Sequence, residues 1–173
     1  RARLDTRTET LGLDADLTVD TLAFDGIRGS FPTLTLQGMV AGSLRMLGYL
    51  DSLWVEGGLA GGIGAYQFIG RTSLEPPRFG ADGLRVSFDR ANLAMLTPTG
   101  PTTSLAGQAV LTGVIDSAVA PDAVIDLALR RSSVRSFILD SAWARLAIRD
   151  SLITVDTAGV VWPGGGAYLA GTF

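Results

Sequence analysis

Apolar and polar residues alternate along most of this chain. Leu13, Ala15, Leu17 and Val19 are interleaved with Asp14, Asp16, Thr18 and Asp20. Leu34, Leu36, Gly38, Val40, Gly42 and Leu44 alternate with Thr33, Thr35, Gln37, Met39, Ala41 and Ser43. The same beat returns at Leu84, Val86 and Phe88; at Leu105, Gly107, Ala109, Leu111, Gly113 and Ile115; and at Ile125, Leu127 and Leu129. It closes with Ala142, Ala144, Leu146 and Ile148, then Ala167, Leu169, Gly171 and Phe173. A period of two puts every second side chain on one side of an extended backbone, so each run predicts a half-buried β-strand with one apolar face. Only residues 90–96, Arg-Ala-Asn-Leu-Ala-Met-Leu, read equally as a short helix or as a strand with Ala91, Leu93 and Met95 together.

Clusters of Gly, Pro, Asp and Ser at 25–32, 56–64, 75–83, 97–104, 116–122 and 163–166 predict turns and loops between consecutive antiparallel strands. Pro76, Pro77, Pro98, Pro101 and Pro163 lack a donor for a ladder and belong in loops or at edges. No linker divides the chain, which is expected to form one repeat-like β unit over 1–173. Two devices recur. Leu-x-Gly-x-apolar stands at Leu36, Leu59, Leu105 and Leu169, and Asp-Ser-apolar at Asp51, Asp116, Asp140 and Asp150. Glycine inside a strand permits twist and bending, and Asp-Ser is expected to close a turn where a strand begins. Many inward positions are small (Gly38, Gly42, Gly107, Ala109, Gly113, Ala142, Ala144), which is expected to leave room that a close-packed core would fill.

Composition removes several chemistries. The chain of 173 residues contains no Cys and no His. Disulfides, thiolate metal sites and Ser-His or Cys-His catalysis therefore have no side chains to work with. All 14 basic residues are Arg, and they are scattered except for Arg130, Arg131 and Arg135, which read as a solvated turn. A net charge of −3 and the absence of a basic stripe argue against nucleic acid. No run approaches the 18 or more apolar residues of a membrane-spanning helix. The chain opens Arg1-Ala2-Arg3-Leu4, and is expected to be an excerpt of a longer protein whose membrane anchor lies outside it.

The remaining motifs favour structural roles. The paired acids (Asp14, Asp16, Asp20; Asp82, Asp89; Asp116, Asp122; Asp140, Asp150) sit at turns or on polar strand faces, without the convergence that a glycosidase or calcium site needs. Gly57 to Gly64 is glycine-rich, but neither Gly-Lys-Ser/Thr nor a helix follows. It is expected to be a flexible bend between strands, and Gly164 to Gly166 a turn. Trp54 and Trp143 lie opposite the main apolar face of their strands, and with Trp162 they do not by themselves specify a carbohydrate platform.

The segments Leu36-Gln37-Gly38-Met39-Val40, Leu105 through Gly113, and Ile138-Leu139-Asp140-Ser141-Ala142 resemble the repeats of the TamB/AsmA-like superfamily. The closing stretch Gly164 to Phe173 resembles the glycine-then-strand ending of one such repeat. The resemblance spans most of residues 34–173. It implies an elongated, curved antiparallel sheet forming a U-shaped apolar groove. It also implies a place in the periplasm of a didermic cell envelope, where such proteins bridge the two membranes and move phospholipid or assist outer-membrane assembly. A strand of eight residues spans roughly 26 Å at ~3.3 Å per residue, enough to cover an acyl tail of about 15 Å.

The expectation is thus an all-β protein that is no enzyme and takes no cofactor or metal. Its ligand would be phospholipid or another acyl chain, with an outer-membrane assembly protein as a further partner. The expected groove lining is Leu34, Leu36, Val40, Leu44, Leu105, Ala109, Leu111, Ile115, Ile125, Leu127, Leu129, Leu146, Ile148 and Leu169. Two other arrangements stay open on the residues alone. One is a structural β-solenoid or adhesin-like segment packed with its own side chains. The other is part of an outer-membrane barrel, although aromatic girdles are not evident.

Overall fold

The computed structural model describes residues 2–5, 12–24, 38–74, 78–96, 99–116, 122–149 and 152–171. They form one antiparallel sheet. Its strands are β1 (Ala2–Asp5), β2 (Gly12–Ala23), β3 (Met39–Tyr49), β4 (Ser52–Gly61), β5 (Gly64–Ser73) and β6 (Arg78–Ala91). A single turn of helix, α1 (Leu93–Leu96), leads into β7 (Thr103–Asp116), β8 (Asp122–Val134), β9 (Phe137–Leu139), β10 (Ser141–Arg149), β11 (Leu152–Trp162) and β12 (Gly165–Ala170). Spatial order follows chain order from β1 to β12, except that β9 pairs only with β8 and stands off the path. The sheet does not close on itself, and β1 and β12 are its edges. Along the path, ten strand spacings of ~4.8 Å give a width of roughly 48 Å.

The expected all-β, antiparallel architecture is therefore the observed one, in a single layer. The chain exposes 11019 Å², against about 8,100 Å² for a compact monomer of this mass. Among the described residues no second sheet faces this one, so its apolar face is not the inside of a sandwich. Register shifts interrupt the ladders β2/β3, β5/β6, β6/β7, β7/β8 and β10/β11, and each adds local twist and bend. At β7/β8 the irregularity is satisfied internally. The buried Ser132 hydroxyl accepts from the Ala106 amide at 3.0 Å and donates to the Arg130 carbonyl at 2.6 Å.

Several local expectations change. Residues 57–61 are paired strand rather than a flexible bend, and the turn is confined to Gly62 and Ile63. Gly57 is needed inside the strand because a side chain there would strike the Ser43 carbonyl and the Phe68 ring. Likewise Gly165 and Gly166 belong to β12, leaving Pro163 and Gly164 before it. The ambiguous 90–96 segment resolves into strand up to Ala91 and helix over Leu93–Leu96. Ser52 and Ser141 do begin strands, whereas Asp116 ends one. The expected loops at 25–32 and 117–121, with Pro76, Pro77 and Pro98, lie outside the described residues.

Three of the small inward positions have a different cause from the one expected. At Gly42, Gly107 and Gly113 the missing Cβ leaves no vacancy. A carbon there would collide with the backbone of the next strand, at Gly58, Ala128 and Ala123 respectively. Glycine lets adjacent strands approach closely where the sheet coils.

Candidate functional site: an apolar face and a polar trough

Residues paired across an antiparallel ladder share a face, so the register fixes which side chains stand together. One row runs Leu17, Leu44, Gly57, Phe68, Val86, Ala109, Leu127, Ala144, Ala158, Leu169 across ten strands without a polar side chain. The row beside it is Val19, Gly42, Leu59, Tyr66, Phe88, Gly107, Leu129, Ala142, Val160, Ala167. On the other flank, Ala15, Met46, Val55 and Gly70 lead to Leu84, Leu111, Ile125, Leu146 and Val155 past the β5/β6 irregularity. A fourth row joins Leu53, Thr72, Ala81, Gly113, Ala123, Ile148 and Ile153.

Most of the expected lining is thereby brought together. Leu44, Ala109, Leu127 and Leu169 share one row, Leu129 stands in the next, and Leu111, Ile125 and Leu146 share a third. Ile148 lies in the fourth, and Leu105 lies two residues from Gly107 on the same side of β7. Val40 is on this face too, but it is not open to a ligand. It is buried with Phe24 and Ile63, and Leu22, Leu59, Tyr66 and Met95 pack against them. Ile115 belongs to β7 opposite Phe79, and its side chain is outside the description. Leu34 and Leu36 lie outside the described residues.

The Val40 cluster is a plug over one end of the apolar face, and α1 is pinned there by four hydrogen bonds. Asn92 Oδ1 accepts from the amides of Ala94 and Thr103, each at 3.2 Å. The buried Thr103 hydroxyl accepts from the Leu93 amide at 2.8 Å and donates to the Ala91 carbonyl at 2.9 Å. Asn92 thus acts as an N-cap, and Thr103 ties the cap to β7. Tyr66 donates its hydroxyl to the Ile63 carbonyl at 3.1 Å, and burial raises its pKa above the ordinary 10.0. Away from the plug the face is buried again at Ala15, Leu53 and Val55, and is open toward β11 and β12. A depression of about 210 Å³ opens beside Phe79, Leu111, Ile125 and Ile148, and Ile153 at the far side is 68% exposed.

The opposite face carries the charged side chains together with the exposed Leu47, Trp54, Ile69, Val114 and Trp143, and its shape is not legible in the sequence. Its central row is Thr18, Ser43, Gly58, Gln67, Ser87, Gln108, Ala128, Trp143, Gly159, Tyr168. Alongside runs a charged row in which Arg45 pairs with Asp16 at 3.8 Å, and Arg145 with Asp126 at 3.8 Å and Asp156 at 4.0 Å. These pairs are exposed, so each contributes about 0–1 kcal/mol and serves mainly to favour one register. A depression of about 650 Å³ over β2–β6 contains Thr18, Ser43, Gln67 and Ser87. A second of about 280 Å³ shares Ser87 with it. A third of about 290 Å³ shares Gln108 and Ala128 with the second and reaches Trp143. Together they make one trough across the polar side. The row was hidden because its members are distant in sequence and meet only once the register is known.

Among the described residues no three acidic side chains converge as a metal site, and no helix is long and apolar enough to cross a membrane. No protein-family model, curated protein or solved structure matches this chain, so its own geometry carries the functional reading.

Proposed function

We propose that this chain is a non-catalytic segment of a periplasmic bridge-like protein. Its apolar face shields lipid acyl chains on their way between the inner and outer membranes, or during outer-membrane assembly. One observation carries the reading. Ten strands present uninterrupted apolar rows on one face, and at its β11–β12 end no apolar side chain is buried. Soluble monomers rarely leave so large an apolar surface without a partner, and phospholipid tails are a partner without polar demands. Transfer of a tail from bilayer to such a face exchanges one apolar environment for another, so its driving force is small in either direction, as a conduit requires. The charged and hydroxylated opposite face keeps the same sheet wetted. The resemblance to TamB/AsmA-like repeats points the same way, and the bends in the ladders suit a sheet that curls around its ligand.

The test is native mass spectrometry and organic extraction of the purified chain. The expected result is co-purifying phospholipid in stoichiometric amount, displaced by detergent. A folded monomer free of lipid, which also takes up none from phospholipid vesicles, would contradict the reading.

A further inference from the structure

The polar trough has features that shielding a lipid tail does not require. Its floor is a neutral row in which Thr18, Ser43, Gln67, Ser87 and Gln108 carry hydroxyl or amide groups, with Gly58 between Ser43 and Gln67, on strands spaced ~4.8 Å apart. That interval is close to the length of one sugar ring in an extended polysaccharide. The three depressions follow this row over roughly eight strand spacings, or ~38 Å. At the far end the exposed Trp143 ring lies over Gly159, where any Cβ would collide with the indole. Tyr168 pairs with Gly159, two strands beyond Trp143 in the same row, and is also exposed. The indole is held against the glycine and is 43% exposed, so it offers ring surface to which the C–H edge of a pyranose can pack. Of the neighbouring charges, Asp16 pairs with Arg45 and Asp126 with Arg145, while Glu56 and Arg85 stand at the rim of the largest depression, one of each sign.

We infer that the trough binds an extended, neutral polysaccharide, with Trp143 as the stacking platform and Gln67, Ser87 and Gln108 as hydrogen-bonding partners. The ligand lies across the strands, on the side away from the apolar face, so the proposal stands independently of lipid binding. A peptide strand would instead seek the sheet edges, where unpaired backbone groups are available. A polyanion would seek clustered, unpaired arginines.

The probes are cellohexaose and chitohexaose, titrated against the intact chain by tryptophan fluorescence, and electrophoresis in gels cast with hydroxyethylcellulose. Saturable binding of at least one hexasaccharide, or retardation in the gel, is expected. Trp143→Ala should weaken it about tenfold, the loss of one stacked ring. Trp143→Phe, which keeps a ring over Gly159, should retain most of it. Trp54→Ala removes an exposed Trp from the same face but outside the trough, and should leave binding unchanged. Circular dichroism checks that each variant keeps its strands. If the folded chain binds neither hexasaccharide nor the gel polymer, or if Trp54→Ala and Trp143→Ala weaken binding equally, the inference is overturned.

Discussion

Leu53 and Ile153 stand in the same row of the same apolar face, six strands apart, yet Leu53 is 0% exposed and Ile153 is 68% exposed. The regions around them differ alike. Strands β2–β5 hold the buried Ala15, Val40, Leu53 and Val55, with Ile63 buried in the β4–β5 turn, whereas β11 and β12 contain no buried apolar side chain. Alternation marks both regions, at Leu13 to Val19 in one and at Ala167 to Leu169 in the other. An apolar period of two therefore says which face a residue joins, and says nothing about whether anything covers that face. One region uses its apolar side chains for folding. In the other they stay exposed.

The contrast can be broken most directly by truncation. Leu53→Ala empties a fully buried site and should cost about 3 kcal/mol. Ile153→Ala removes an exposed side chain and should cost under ~0.5 kcal/mol. Urea denaturation of the two variants measures both, and equal losses would mean that the two ends are packed alike. Gly113→Ala tests whether the small inward residues serve backbone approach or ligand room. Its new methyl meets Ala123, and its φ of +148° disfavours a side chain, so about 2 kcal/mol should be lost. Near-neutral stability there would restore the idea of a vacancy.

The plug itself is sharpened by Asn92→Ala, which removes the cap of α1 and should cost about 1 kcal/mol. Amide exchange over Leu93–Leu96 should speed up while exchange in β10 and β11 stays unchanged. A smaller signature is the pH dependence of Tyr66. Its folded-state pKa is raised by burial, so its contribution is fully present below pH 10 and is lost as pH rises through the raised value. Tyr66→Phe should remove that alkaline slope, at the expense of the bond to the Ile63 carbonyl. An alkaline stability profile identical in wild type and variant would show that the hydroxyl is not buried in the plug.

The strands were legible in the sequence because period two survives wherever one face is apolar, as in Leu105 through Gly113 and Ala142 through Ile148. The lining residues Leu44, Ala109, Leu127 and Leu169 were chosen from their own strands, and the register then aligned them in one row. Three things were not legible. The glycines of β4 look like a loop in one dimension, because the Phe68 ring and Ser43 carbonyl that require them come from other strands. The α1 turn is too short to show a helical period, and its cap depends on Thr103, ten residues away from Leu93. Val40 was expected to face the ligand, yet Phe24 and Met95 close over it, and no local pattern announces such a contact.

The central claim is that lipid occupies one face of the sheet and not the other, and adjacent residues of β8 test it. A photo-crosslinking amino acid placed at Leu127 points into the apolar rows, and the same group at neighbouring Ala128 points into the polar trough. With phospholipid vesicles present, the account predicts lipid adducts from position 127 and none from position 128. Equal labelling at the two positions, or labelling from 128 alone, would contradict it.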